Sequence, residues 1–241
     1  MGAVPANNAL TAEFRERFKL IEDSPLLLAA STHAPEEVII LNTLRQLLSR
    51  SEFKPRLIIA PRHPERFSEV ADLLKTSGLR WVRRTAPAHP EDGQADVVLL
   101  DSIGELQSLY SLGSIVFVGG SIAKTGGHNI LEPAAVGAAV ITGPHTYNFQ
   151  FVVKTFVDAG AIVQLPPMSD SAAIIGLGNV ISELIANPDR RKELGERARR
   201  LVAQNRGATE RTLDLLISIF PTSSNAGEQT APHSIQGVPT A

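Results

Sequence analysis

Residues 117–137 (FVGGSIAKTGGHNILEPAAVG) contain two glycine pairs between a short apolar run and the predicted start of a helix. The first N–H groups of a helix are unpaired and lie at the positive end of its dipole, where an anion can bind. Glycine lets such an anion approach the backbone closely. The stretch therefore predicts a phosphate site that includes Ser121 and Gly127, with Glu132 one turn further on, in reach of ribose hydroxyls. A tight strand-to-helix turn explains the glycines equally well.

Pro61 and Arg62 leave a second apolar run and lead into a helix that Pro64 can begin. The arginine fork of N–H donors suits a phosphate or a base. The alternative is a surface arginine beside a helix start. The position after a strand favours binding, because ligands of open parallel sheets sit beyond the carboxyl ends of the strands.

Ile103, Gly104 and Glu105 follow another apolar run. Glycine at this point lets a ligand ring or ribose lie against the main chain. A capping box between Ser102 and Glu105 is the structural alternative. The two interpretations are compatible: Glu105 can belong to the capping box while the N–H of Gly104 contacts the ligand.

His33, Lys124 and His128 are further candidates whose structural alternatives stay open. His33 precedes Glu36 and Glu37, which suits either a helix start or a hydrogen bond to a substrate carboxylate or phosphate. His128 follows the second glycine pair. Lys124 lies inside the loop, where it either reaches a phosphate or remains solvated.

No pattern in the chain predicts a metal site or a P-loop. Cysteine is absent, and no His-Glu-x-x-His, Asp-x-Asp or Walker lysine is present. We therefore expect no metal ion and no cofactor, and we disfavour a P-loop NTPase.

Short apolar runs that alternate with helical patterns must position these residues. The predicted strands are 26–30, 57–60, 80–84, 95–100, 114–118, 138–141 and 161–165. The predicted helices are 10–20, 36–49, 64–77, 103–112, 129–136, 149–159, 168–187, 188–205 and, after an interruption at Gly207, 209–220. This order predicts an α/β, Rossmann-like, doubly wound parallel sheet. Every candidate site follows a strand, so all of them are expected at one edge of the sheet.

Composition excludes several classes of protein. The 241 residues are 43% hydrophobic with a formal net charge of −2, which gives no sign of a nucleic-acid surface. No apolar run reaches the roughly 20 residues of a membrane span, and no signal peptide is visible at the start. We expect a soluble, cytoplasmic chain with a lead-in segment over 1–23, one domain over 24–220 and a disordered tail over 221–241.

The motifs together resemble those of the 3-deoxy-D-manno-octulosonic acid (Kdo) transferases. The matching segments, from about Leu26 to Phe220, are 31–37 (STHAPEE), 61–67 (PRHPERF), 104–106 (GEL), 118–121 (VGGS), 126–135 (GGHNILEPAA) and 143–149 (GPHTYNF). The resemblance implies the C-terminal, nucleotide-binding half of a GT-B glycosyltransferase. It further implies the following donor-binding residues: Pro61, Arg62, Ile103, Gly104, Glu105, Asn129, Ile130, Leu131 and Glu132.

The same resemblance implies an inverting, metal-independent activity. Such an enzyme moves Kdo from CMP-Kdo to a lipid A precursor in lipopolysaccharide synthesis, at the cytoplasmic face of the inner membrane. The family's general base and acceptor surface belong to an N-terminal half that has no counterpart in these 241 residues. We therefore expect this chain alone to bind the donor without catalysis. The alternatives are another GT-B sugar-nucleotide enzyme (a UDP-sugar transferase or 2-epimerase) and a non-catalytic nucleotide-binding module.

Overall fold

The computed structural model describes residues 8–21, 24–50 and 54–219, with side chains described up to residue 205. The predicted disordered tail and much of the lead-in segment lie outside these ranges. The chain forms two compact units, residues 1–204 and 205–241. Of the second unit, the structure describes a helical backbone that ends at Ile219.

A seven-stranded parallel sheet forms the centre of the first unit, in the order β3-β4-β2-β1-β5-β6-β7. The strands are β1 (Leu26–Thr32), β2 (Arg56–Pro61), β3 (Trp81–Arg83), β4 (Val97–Leu99), β5 (Ile115–Val118), β6 (Ala139–Thr142) and β7 (Val163–Gln164). Every predicted strand is present. Helices cover both faces, so the predicted Rossmann-like, doubly wound fold is confirmed.

The helices are α1 (Ala9–Arg17), α2 (Glu36–Arg50), α3 (Phe67–Thr76), α4 (Leu106–Leu109), α5 (Leu131–Ala135), α6 (Gln150–Asp158), α7 (Asp170–Ala186) and α8 (Pro188–Ile219). Most of them are shorter than predicted, and α4 and α5 show the reason. Gly104 has a φ of +86°, which an α-helix cannot contain, so α4 begins only at Leu106. At α5, Asn129 turns the backbone with its side chain before the helix begins, because its Oδ1 accepts the N–H of Leu131.

The predicted break at Gly207 is wrong. The backbone of α8 remains helical from Pro188 to Ile219. A glycine inside a helix is unfavourable by only about 1 kcal/mol relative to alanine, so it weakens the helix without ending it.

The hydrophobic core has two layers, one on each face of the sheet. On one face, α2, α3 and α7 cover alternate strand residues such as Ile59 and Phe117. On the other face, α1, α4, α6 and α8 cover the intervening residues, such as Ile58 and Val116. Phe14 of α1 is only 1% exposed, so this helix belongs to the core.

The strand register aligns the carboxyl ends of four strands. Thr32 of β1 pairs with Pro61 of β2, while Val118 of β5 pairs with Ala30 of β1 and with Thr142 of β6. The segments that begin at residues 33, 62, 119 and 143 therefore start side by side.

Gly195 provides a test of the packing of α8. A Cβ atom at this position would lie 1.9 Å from the carbonyl oxygen of Gly137. We expect Gly195→Ala to lower the free energy of unfolding by about 1–3 kcal/mol, as overpacking does. Gly178→Ala in α7 is the matched control, because the nearest atom to its added Cβ, a Thr43 methyl, is 3.7 Å away. Urea denaturation of both variants measures the difference, and equal midpoints would contradict the packing described.

Candidate functional site

Glu36 is the centre of the sheet edge. It is the first residue of α2, and its side chain is buried. Its carboxylate accepts five backbone N–H groups at 2.8–3.2 Å, those of His33, Gly120, Ser121, Ile122 and Ala123. Burial raises the pKa of Glu36, and these N–H donors oppose the rise. The loop after β5 is thus wrapped around a carboxylate of the protein itself.

Gly119 shows why the first glycine pair is needed. A Cβ atom on Gly119 would lie 2.5 Å from the carbonyl oxygen of Ser31 and 2.8 Å from Oε2 of Glu36. Only a residue without a side chain therefore allows the end of β1, the loop and Glu36 to meet.

The structure removes Ser121 from the candidate site. Its side chain is buried, and its N–H is donated to Glu36. Its hydroxyl donates to the carbonyl of Val118 at 2.6 Å and accepts the N–H of Gly143 at 2.8 Å. No polar group of Ser121 is left for a ligand, because all are used to hold the loop.

The second glycine pair is held by the segment that follows β6. Gly126 and Gly127 have φ angles of +95° and +76°. The N–H of Asn148 donates to Gly126 at 3.0 Å, and the N–H of Gly127 donates to Gly120 at 2.7 Å. The N–H of Gly127 is therefore not open to a ligand, and a Cβ atom on Gly127 would lie 3.3 Å from the carbonyl oxygen of His145.

The next three N–H groups are unpaired. Within the described part of the chain, the backbone N–H groups of His128, Asn129 and Ile130 have no hydrogen-bond partner. Consecutive unpaired N–H groups suit an anion. Unpaired N–H groups thus lie at the predicted helix start after the second glycine pair, whereas those of the first pair's loop are bonded to Glu36. Ile130 as a whole is fully buried, so the unpaired N–H groups that a ligand can reach are those of His128 and Asn129.

Glu132 lies at the start of α5, beside these N–H groups. Its Oε1 accepts a hydrogen bond from Nδ2 of Asn129 at 3.5 Å, and its side chain is half-buried. Leu131, the first residue of the helix, is half-buried as well. A carboxylate in this position is suited to accept hydroxyl groups.

Arg62 is exposed at the end of β2, directly after the buried Pro61. Its N–H donates to the carbonyl of Thr32 at 3.0 Å, while its guanidinium has no partner among residues that the structure describes. Burial lowers the pKa of His128 to about 4, and the charge of Arg62 is one of the factors that add to this decrease. Arg62 therefore lies within electrostatic range of the glycine loop.

Tyr110 lies within electrostatic range of both Arg62 and Glu132, and sequence reasoning missed it. Burial raises the pKa of the Tyr110 hydroxyl, Glu132 adds to the rise, and Arg62 opposes it. Both charged residues thus act on one buried tyrosine, which supports the predicted convergence of Arg62 and Glu132.

Glu105 has a structural role. It accepts two hydrogen bonds from Arg84, at 3.1 and 3.0 Å, and one from the hydroxyl of Ser102. The proposed capping box is wrong, because Ser102 donates to Glu105 and α4 has no side-chain cap. Ile103 and Gly104 are exposed above this network, with open space around Gly104.

Three histidines, His33, His63 and His128, form a cluster at the same edge. The Nε2 atoms of His33 and His128 are 2.8 Å apart, and their rings are stacked with centroids 5.0 Å apart. The ring of His63 is edge-on to His33 at 5.2 Å. Burial, followed by the nearby His63, lowers the pKa of His33.

Arg66 fixes the segment that carries Arg62 and His63. Its Nη1 donates to the buried Glu37 of α2 at 2.5 Å, and its other guanidinium nitrogens donate to Glu69 at 2.9 and 3.2 Å. Lys124, by contrast, has an exposed side chain, and the structure shows only its carbonyl in use, as the acceptor of the Tyr147 hydroxyl.

The described ranges contain neither a metal-binding cluster nor a helix that could span a membrane. No group of three His, Cys, Asp or Glu residues there is arranged to hold a metal ion. None of the helices in those ranges combines the length and apolarity of a membrane span.

Comparison with known proteins identifies relatives of this chain. It is 40% identical over 195 residues to the 3-deoxy-D-manno-octulosonic acid transferase of Haemophilus influenzae, covering 81% of this chain and 44% of the relative. The Bordetella pertussis transferase is 36% identical over 194 residues, with 80% and 44% covered. The crystal structure of the C-terminal CMP-Kdo binding domain of WaaA from Acinetobacter baumannii matches with a TM-score of 0.70 and 34% identity, covering 80% of this chain and 95% of that one. No family model matches the sequence.

The fold and its sheet edge define the C-terminal, Rossmann-like half of a GT-B glycosyltransferase. The chain belongs to the 3-deoxy-D-manno-octulosonic acid transferase family. It spans about half the length of the curated relatives it matches, 44% for each of these two transferases.

The role of Glu36 can be tested by Glu36→Gln. The amide replaces one acceptor oxygen with an NH₂ group that faces N–H donors. We expect the free energy of unfolding to fall by about 2–3 kcal/mol, because buried N–H groups lose a charged partner. Glu91→Gln changes a side chain that is 77% exposed and serves as the control. Thermal denaturation that gives the same melting temperature for both variants would contradict this role.

Proposed function

We propose that this chain is the donor-binding half of an inverting, metal-independent Kdo transferase, and that it binds CMP-Kdo. The observation that carries the proposal is the match to the CMP-Kdo binding domain of WaaA, which covers 95% of that domain at 34% identity. We further propose that the whole enzyme transfers Kdo to a lipid A precursor in lipopolysaccharide biosynthesis, at the cytoplasmic face of the inner membrane.

The open groups of the sheet edge suggest how the nucleotide is divided among them. We assign the base to the exposed backbone of Ile103 and Gly104, with Arg62 on the neighbouring strand end. We assign the ribose hydroxyls to Glu132, whose carboxylate lies at the start of α5. We assign the phosphate to the unpaired N–H groups of His128 and Asn129.

This arrangement would favour departure of CMP. Negative charge grows on the phosphate as the bond to the sugar breaks. N–H groups that are already fixed in place stabilise that charge without having to reorganise. The guanidinium of Arg62 adds a permanent positive charge near the same loop. Such a site would stabilise the leaving group through these groups alone, with no step that calls for a metal ion.

Transfer needs a base and an acceptor surface as well. The resemblance assigns both to the N-terminal half of the GT-B fold. We propose that Arg62, Glu132 and the backbone of residues 103–104 and 128–129 bind the donor, and that transfer takes place only with the N-terminal half in place.

Nucleotide selectivity tests the proposed function. We expect CMP to raise the melting temperature of the chain more than UMP or UDP does at equal concentration, because ligand binding stabilises the folded state. Differential scanning fluorimetry with the three nucleotides measures this. A shift with UDP and none with CMP would point to another GT-B sugar-nucleotide enzyme instead.

Two substitutions test the assigned residues. Arg62→Ala and Glu132→Ala are each expected to weaken CMP binding about tenfold or more, because each removes one charged hydrogen bond of roughly 1.5–3 kcal/mol. Melting temperatures without ligand are expected to change little, since Arg62 is exposed and Glu132 is half-buried. Arg190→Ala, whose side chain is 52% exposed on α8, is the control. Isothermal titration calorimetry that finds unchanged affinity in both variants would refute the assignment.

A further inference from the structure

The cluster of His33, His63 and His128 has a property that the proposed nucleotide contacts do not use. The 2.8 Å between the Nε2 atoms of His33 and His128 leaves room for one proton between them. In the neutral pair, one ring therefore donates through its Nε2–H and the other accepts.

The Nδ1 atoms of this pair are available. Within the residues covered by the structure, neither the Nδ1 of His33 nor that of His128 has a hydrogen-bond partner. Among the described residues, the fully buried side-chain polar atoms that lack a hydrogen-bond partner are Thr32 Oγ1 and Glu37 Oε2. The two Nδ1 atoms also lack a partner but are not fully buried, so both are reachable from solvent. In the neutral pair, the accepting ring carries a proton on Nδ1 and the donating ring does not.

We propose that the histidine cluster is an anion-binding centre that takes up a proton from solvent when the anionic part of the donor binds. This inference rests on the proposed function. The proton goes to Nδ1 of the ring that donates the bridging hydrogen bond. That bond stays intact, and both Nδ1 atoms become N–H donors suited to oxygens of a phosphate or a carboxylate.

The groups that face the pair explain why the proton arrives only with the ligand. Arg62, Arg66 and the nearby His63 all disfavour a positive charge on His33, and Glu37 favours it. On His128, burial, His33 and Arg62 all act against the charge. The carboxylate of Glu36 is occupied by backbone N–H groups, including that of His33. A bound oxyanion would add the missing negative charge and reverse this balance.

The sign of the pH dependence follows from this. The ligand raises the pKa of the pair above its value in the free protein, which for His128 is about 4. The contribution to affinity is complete below the free-protein pKa and is lost as the pH rises through the pKa in the complex. If about half a proton is taken up, affinity falls roughly threefold per pH unit near neutrality.

Calorimetry in buffers with different ionisation enthalpies measures the proton directly. We expect the wild-type chain to take up on the order of half a proton per CMP at neutral pH. His33→Asn and His128→Asn should abolish this uptake. His89→Asn, which changes a side chain that is 65% exposed and outside the cluster, should keep it. The phosphate of CMP itself titrates at pH about 6, so the readout is the difference between the wild type and each variant.

Cytidine and free Kdo separate the two possible anions. Proton uptake with CMP but not with cytidine would identify the phosphate as the bound anion. Proton uptake that appears only when free Kdo is added would identify the sugar carboxylate as the bound anion. If a variant does not fold, NMR of the histidine rings in the wild-type chain takes the place of the calorimetry on that variant. The rings of His33 and His128 should then move toward their imidazolium shifts as ligand is added.

The outcomes separate this inference from the proposed function. If CMP binds and neither CMP nor Kdo produces a proton uptake that depends on the cluster, the anion-binding role is overturned and the proposed function stands. If CMP does not bind at all, the proposed function fails and this inference fails with it.

Discussion

The carboxylate of Glu36 lies at the point where the ends of β1 and β5 meet, and five backbone N–H groups converge on it. A loop that presents several N–H groups in one direction needs an anion, because unpaired buried donors are costly. In this fold the protein supplies that anion. The shape of the loop, and therefore the positions of the residues that follow it, depends on this one side chain.

The internal carboxylate also determines where a ligand can bind. Since Glu36 accepts the N–H groups of residues 120–123, the N–H groups that remain open in the described part of this loop are those of His128 and Asn129. The segment after β6 holds the intervening loop through Asn148 and His145, whose N–H groups donate to Gly126 and Ser121. The hydrogen-bonded N–H groups thus hold the unpaired N–H groups in place, and a phosphate would meet a preformed site.

Ion pairs position the other side of the edge. Arg66 joins the segment after β2 to Glu37 at the start of α2, next to Glu36. Arg84 holds Glu105 below the exposed Gly104. Arg66, Glu37 and Arg84 are not assigned to the nucleotide, whereas the resemblance implies that Glu105 contacts it. The two ion pairs place the open backbone of residues 103–104 and the free guanidinium of Arg62 at the ends of neighbouring strands, which the parallel register brings together.

The sequence by itself determined the seven strands and their parallel, doubly wound arrangement. Continuous apolar runs and helical periodicity are local patterns, and the polar residues that follow the strands had to share one edge. The motif series also determined the family. Local patterns failed where a local preference competed with context, as in the continuous helix through Gly207 and the late start of α4.

Only the tertiary structure decided how the polar groups at that edge are partnered. Ser121 and Glu36 look alike in the sequence as polar residues after strands, yet both are buried and satisfied by the loop, whereas Arg62 is left open. Tyr110 and the pairing of His33 with His128 were equally beyond the sequence. The physical reason is that a hydrogen bond between residues far apart in the chain depends on ångström-scale placement, which the packing of strands and helices sets and residue type alone does not.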